Sequence, residues 1–197
     1  EEITVKIILI GDSGVGKTSL ANRYLYGEFE EKGNTIGLDF GAKKVLIDSQ
    51  EVDVRIWDTA GQEKYHSLVA NLFNGADGAI VVFDLSMRES FDNVRKWIDM
   101  INERARNPIS MILIGNKSDL DNYEVTSEEA MNYASGIDIT YFETSALTGS
   151  NVDDAFYQII TLSYKNACNA HDDLPKACDI ECNVSAPNSN CCWKKRK

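Results

Sequence analysis

The stretch Gly11-Asp12-Ser13-Gly14-Val15-Gly16-Lys17-Thr18 directly follows the apolar run Val5-Lys6-Ile7-Ile8-Leu9-Ile10. A glycine-rich loop thus leaves a buried strand and opens a helix, which confines the chain to architectures where strand ends and helix starts meet at one sheet edge. The chemistry of such a loop is that of a phosphate cradle. Glycines accept backbone angles that other residues resist, so successive N–H groups converge on phosphate oxygens at a helix N-terminus. Lys17 is placed to reach β- and γ-phosphate oxygens, and the Thr18 hydroxyl to ligate Mg²⁺. Asp12, Ser13, Gly14, Val15, Gly16, Lys17, Thr18 and Ser19 are the candidate phosphate-binding residues.

The 197 residues, 43% of them hydrophobic and 26% charged, suit one globular domain over 1–165 and a polar tail over 166–197. A net charge of −11, with no basic block inside the body, argues against a nucleic-acid partner. No apolar run approaches the ~20 residues of a membrane-spanning helix, and the first residues lack the pattern of a signal peptide. All five cysteines fall at or beyond position 168, an odd number gathered in a polar segment, which points to a reducing, cytoplasmic setting. Cys178 and Cys182 with the pair Cys191-Cys192 have irregular spacing and no nearby His, so a zinc site is not expected.

Strands are expected over 3–10, 38–47, 52–58, 78–84, 110–116 and 140–143, the second and third joined as a hairpin near residues 48–51. Continuous apolar runs such as Ala79-Ile80-Val81-Val82-Phe83 read as parallel strands covered on both faces. Helices are expected over 17–25, 89–105 and 151–165; the last two carry apolar stripes, Phe91, Val94, Trp97, Ile98 and Ile101 in one, Val152, Ala155, Phe156, Ile159, Ile160 and Leu162 in the other. Strands alternating with helices give an α/β fold. We expect a mostly parallel six-stranded sheet with one antiparallel edge strand and helices on both faces, its ligand at the carboxyl ends of the strands.

Three further signals stand at strand ends. In Trp57-Asp58-Thr59-Ala60-Gly61-Gln62-Glu63, Asp58 can hold Mg²⁺ through water, Gly61 can bring its N–H to a γ-phosphate oxygen, and Gln62 can orient an attacking water. These are the roles of the general phosphoryl-transfer scheme. Asn116-Lys117-Ser118-Asp119 and Glu143-Thr144-Ser145-Ala146-Leu147 follow the next strands. A carboxylate at Asp119 accepts from the N1–H and exocyclic amine of guanine, two donors that adenine does not present together. Asn116 would brace the loops, the stem of Lys117 would lie along the base, and the backbone at Ser145, Ala146 and Leu147 would meet the guanine carbonyl. The implied base is guanine.

With these four signals in order, the chain from Val5 to about Tyr164 resembles the Ras-like small GTPases. It is most similar to their Rab branch, on Thr35-Ile36-Gly37-Leu38-Asp39-Phe40, Trp57-Asp58-Thr59-Ala60-Gly61-Gln62-Glu63-Lys64-Tyr65, Gly75-Ala76-Asp77-Gly78, Phe83-Asp84-Leu85-Ser86 and Glu89-Ser90-Phe91. The resemblance implies a switch in vesicle traffic that alternates between GTP and GDP at the cytosolic face of endomembranes. It implies Thr35 on Mg²⁺ and the γ-phosphate, Phe29 covering the purine, and residues 28–40 and 60–75 reordering between the two states. Effectors, an exchange factor, a GTPase-activating protein and a GDP-dissociation inhibitor come with it as partners. Catalysis would rest on Gln62, Lys17 and Thr35, with an arginine from a partner adding ~10³–10⁵ in rate.

Three departures from the Rab pattern are visible. Thr35 comes six residues after Phe29 where seven are usual, a shortening that bears on effector recognition more than on reach, since each residue spans about 3.3 Å. Phe40 and Trp57 match two of the three aromatics Rab proteins present to effectors, but Leu72 stands at the third place and Phe73 follows it. The cysteine pair that Rab chains carry at their end, for geranylgeranyl groups, is here followed by Trp193-Lys194-Lys195-Arg196-Lys197, with no C-a-a-X box. Membrane attachment through the tail is expected either by lipid on Cys191 and Cys192 or by the basic end on anionic lipids. Two other functions share the loop. An ATP-dependent enzyme is opposed by Asn116, Lys117 and Asp119. A GTP-bound scaffold that does not cycle is opposed by Gln62 and kept open by the short first switch.

Overall fold

A computed structural model of the chain describes residues 3–29, 38–59, 73–105 and 107–172. Strand β1 (Ile3–Ile10) leads through the glycine loop into helix α1 (Lys17–Tyr26). Strands β2 (Leu38–Ile47) and β3 (Gln50–Thr59) form the hairpin, whose two-residue turn puts Asp48 at φ 47° and Ser49 at φ 69°. Positive φ at both turn positions is the geometry whose twist matches the strands it joins. Strand β4 (Gly78–Asp84), helices α2 (Arg88–Asp92) and α3 (Val94–Arg104), strand β5 (Ser110–Asn116), helix α4 (Ser127–Gly136), strand β6 (Thr140–Glu143) and helix α5 (Val152–Asp172) complete the order.

The six strands run β2-β3-β1-β4-β5-β6, parallel throughout except for the β2–β3 pair at the edge, as expected. Side chains alternate across a strand, so the apolar residues of β1 divide between two cores. Val5, Ile7 and Leu9 enter one with Leu20 and Tyr24 of α1 and Phe156, Ile159 and Ile160 of α5. Ile8 and Ile10 enter the opposite one with Val94, Trp97, Ile98 and Ile101 of α3 and Ala130 and Ala134 of α4. From Ile7 to Ile10 both faces of β1 are therefore buried, which explains the unbroken apolar run there and the strand's place inside the sheet. The ring of Tyr24 stacks on Phe156, centroids 4.2 Å apart, and ties α1 to α5.

Three elements differ from expectation. The helix expected over 89–105 is two pieces meeting at Asn93, while the apolar stripe holds across both. A helix at 127–136 carries its own start signal: the Thr126 hydroxyl accepts from the Glu129 amide at 3.2 Å. Helix α5 runs on to Asp172, past the 165/166 boundary, and Asn166 Nδ2 donates to Ser110 Oγ at 2.9 Å, anchoring the extension to the start of β5. Phe73 is 1% exposed and packs in the α3 core, so its ring does not supply the third surface aromatic. Phe40 and Trp57 sit side by side on β2 and β3, ring centroids 5.0 Å apart, with Phe40 48% exposed. Residues 30–37 and 60–72, with Thr35, Gly61, Gln62 and Leu72, and the tail with Cys178, Cys182, Cys191 and Cys192 lie outside the described residues.

Parallel pairing places the ends of β1, β3, β4, β5 and β6 along one edge of the sheet. At that edge Gly11 has φ 148°, and a Cβ built on it would stand 2.1 Å from the Val82 carbonyl oxygen. That neighbour is strand backbone and has no room to yield. Gly11→Ala should therefore lower stability by about 3 kcal/mol in urea unfolding; a loss under ~0.5 kcal/mol would contradict this packing.

Candidate nucleotide-binding site

Helix α1 begins at Gly16, whose φ of 96° is left-handed, and no side chain caps the helix. The first turn of the helix thus adjoins the loop, where the helix dipole favours an anion. A Cβ at Gly16 would lie 2.3 Å from Asn116 Nδ2, so the glycine also lets β5's last residue approach the loop. Lys17 is 4% exposed, and its ammonium donates to the carbonyls of Gly11 at 2.9 Å and Asp12 at 2.6 Å. Burial lowers its pKa to about 8, against the opposing pull of Asp58 and Asp12. A cation desolvated to this degree gains strongly from a polyanion set beside it.

At the end of β3, Asp58 is 3% exposed and its Oδ2 accepts from the Thr18 hydroxyl. Strand β5 ends in Asn116, 1% exposed, which joins three segments at once. Its Nδ2 donates to the Val15 carbonyl at 2.9 Å, while Oδ1 accepts from Thr144 Oγ1 at 3.3 Å and the Ala146 amide at 3.2 Å. The brace expected at this residue is therefore present, from phosphate loop to the loop after β6. Asp119 Oδ1 accepts from Ser145 Oγ at 2.5 Å, and that hydroxyl oxygen also receives the Thr148 amide at 3.1 Å. The Ser145 N–H itself donates to the Ser150 carbonyl at 3.1 Å. Ser145 thus acts through its side chain, by fixing Asp119, and its amide is committed within the loop.

Lys117 has φ 67° and its ammonium pairs with Asp84 Oδ2 at 2.6 Å. Asp84, 2% exposed at the end of β4, is itself held by Ser86, whose amide and hydroxyl donate to Oδ1 at 2.8 and 2.7 Å. The buried carboxylate thus fixes the tip of Lys117. Phe29 follows α1 and is 37% exposed. The candidate phosphate-binding and base-reading groups thus share one sheet edge, and Asn116 bonds the two loops together.

The family model for the Ras family matches residues 6–165. The chain belongs to the Ras family of small GTPases, in its Rab branch. It is 42% identical over 165 residues to the Ras-related protein Rab-11C of Dictyostelium discoideum, covering 83% of this chain and 74% of that one. It is 40% identical over 166 residues to the GTP-binding protein ypt3 of Schizosaccharomyces pombe (83% and 78% covered). Against the Ras-related protein RABA5c of Arabidopsis thaliana it is 41% identical over 168 residues (84% and 78%).

Ras-family GTPases bind GTP or GDP with Mg²⁺, and the donor chemistry in this Rab-type chain fits that ion. Thr18 and Asp58 bring a hydroxyl and a carboxylate together, both hard oxygen donors. Among the described residues no group of three or more His, Cys, Asp and Glu could hold a metal by itself. One carboxylate and one hydroxyl suit Mg²⁺, which takes few protein ligands and completes its shell with water and substrate phosphates.

Residues for which the sequence suggests no site role also shape the candidate site. Arg23 of α1 donates to the carbonyls of Ala146 at 2.8 Å, Leu147 at 2.6 Å and Gly27 at 2.7 Å, clamping the base-side loop onto α1. Leu147, at 50% exposure, is thereby held through its carbonyl. Asp84 stands in a stretch that carries the family resemblance but is given no site role, and Arg23 is given none, because each acts on a partner remote in sequence. Among the described residues no helix is long and apolar enough to cross a membrane.

Proposed function

We propose that this chain is a molecular switch that binds GTP with Mg²⁺, hydrolyses it to GDP and phosphate, and uses the two states to regulate intracellular vesicle traffic. The observation that carries the reading is the double brace of the base side: Asn116 ties the phosphate loop to the loop after β6, and Ser145 fixes Asp119 where two guanine donors would meet a carboxylate. Lys17 would leave the Gly11 and Asp12 carbonyls for β- and γ-phosphate oxygens, exchanging neutral acceptors for charged ones. Thr18, Thr35 and Asp58 would hold Mg²⁺, which supplies neutralisation of charge on the phosphates. Gln62 would align a water behind the γ-phosphate, Gly61 would donate its N–H to a γ-phosphate oxygen, and a partner would add an arginine. The body, residues 1–165, carries these functions, and loss of the γ-phosphate would release the two switch segments from their effectors.

The test is Gln62→Leu in single-turnover hydrolysis, with and without a GTPase-activating protein. Leucine fills the space without positioning water, so the variant should bind GTP normally and lose most of the stimulated rate, ~10³-fold or more. Equal rates for variant and wild type in both conditions would remove Gln62 from the mechanism and favour a GTP-bound scaffold.

The tail, 166–197, is proposed to tether the switch to the cytosolic face of endomembranes through lipid on Cys191 and Cys192. Changing both to Ser should then release the protein from membranes at every salt concentration, because apolar burial is insensitive to screening. Retention of that variant at low ionic strength, lost as the Debye length falls to ~8 Å, would assign the attachment to Lys194-Lys195-Arg196-Lys197 instead.

A further inference from the structure

Asp12 belongs to the phosphate loop, yet both oxygens of its carboxylate are taken by α3 and the residue that opens it. Oδ2 accepts from Asn93 Nδ2 at 2.8 Å and Oδ1 from Trp97 Nε1 at 2.7 Å. The two donors stand four residues apart on one face of the helix, where the Trp97 amide bonds back to the Asn93 carbonyl at 3.3 Å. Trp97 is 7% exposed in the core, so its indole N–H is fixed in place. Asn93 occupies the N-cap position of α3, but its side chain makes no cap. A residue type favoured there for capping is committed to the loop instead.

Through Asp12 this contact reaches the phosphate-binding cation. The carbonyl of the same residue accepts the Lys17 ammonium at 2.6 Å. A shift of the Asp12 side chain would rotate the adjoining peptide and displace both the Lys17 anchor and the first amides of the cradle. We propose that Asn93 and Trp97 are positioning residues: α3 grips the phosphate loop through Asp12 and thereby sets how long a bound nucleotide is retained. The proposal rests on the nucleotide-binding reading above and adds a determinant outside the phosphate, base and metal contacts.

The test is the dissociation rate of a fluorescent GDP analogue from full-length protein, chased with excess GDP. Asn93→Asp sets a second carboxylate against Asp12 and should speed release about tenfold or more. Adding Asp12→Asn to that variant restores a donor–acceptor pair of opposite sense: the new amide nitrogen donates to the carboxylate introduced at position 93, while its oxygen still accepts from Trp97. Release should return to within about threefold of wild type, and the preference for guanine over adenine should be unchanged throughout. Trp97→Phe keeps an aromatic ring and removes the N–H, and should also speed release about tenfold. Asn93 is only half buried, so the Asn93 pair remains informative even if Trp97→Phe does not fold. Variants that release the analogue within about twofold of wild type, change only the melting temperature, or show no rescue by Asp12→Asn would overturn the proposal. Wild type that binds no guanine nucleotide would overturn the functional reading and this inference together.

Discussion

Asp119→Asn should weaken GTP binding by about 10²–10⁴-fold and turn the site toward xanthine nucleotides. The carboxylate would accept two donors of guanine, and hydrogen bonds to a charged acceptor are worth ~1.5–3 kcal/mol each. Asn at this position keeps an oxygen for the Ser145 hydroxyl, now 2.5 Å from Asp119 Oδ1, so the loop retains its shape while the base-facing group changes from acceptor to donor. Xanthine carries a carbonyl where guanine carries its amine, and that carbonyl accepts from the new amide. Competition between GTP and XTP for the purified variant checks the exchange. Undiminished preference for GTP would show that Asp119 does not read the base.

Asn116→Ala should produce a loss of similar size for a different reason. The side chain is buried and supplies partners to the Val15 carbonyl, the Thr144 hydroxyl and the Ala146 amide. Alanine leaves these groups unsatisfied, at ~1–3 kcal/mol for each that water does not reach, and frees the phosphate loop from the base loop. Nucleotide affinity should fall by about 10³-fold for every base, with a lower melting temperature of the nucleotide-free protein. The contrast with Asp119 is diagnostic, since one variant alters selectivity and the other alters retention alone. An Asn116 variant that holds GDP as wild type does would remove the brace from the account.

What the sequence made legible is what local chemistry determines. Strand β1, the hairpin and the glycine loop could be read directly because each depends on neighbours in the chain: buried runs, a short turn, glycines ahead of Lys17 and Thr18. The bracing bonds of Asn116 were legible because they follow from an amide side chain standing at a strand end beside two loops. The grip of Asn93 and Trp97 on Asp12 could not be read, because the apolar stripe of α3 explains Trp97 fully as a core residue and says nothing about its N–H. The contacts of Arg23 and Asp84 were hidden for the same reason, their partners lying far off in sequence. Helix α4 was missed although Thr126 and Glu129 spell a helix start, since Ala130 and Ala134 make a weak apolar stripe. Helix α5 outran its polar composition because an established helix extends at little cost through residues such as Lys165 and Ala167.

The central claim is that this chain turns over GTP at the edge where β1, β3, β5 and β6 end. Single-turnover incubation of the purified full chain with radiolabelled GTP and Mg²⁺, quenched over hours and resolved by chromatography, tests it most directly. The account predicts stoichiometric conversion of bound GTP to GDP and phosphate, arrested when Mg²⁺ is chelated, with no turnover of ATP supplied at the same concentration. Bound GTP that stays intact throughout, or ATP hydrolysed as readily as GTP, would contradict it.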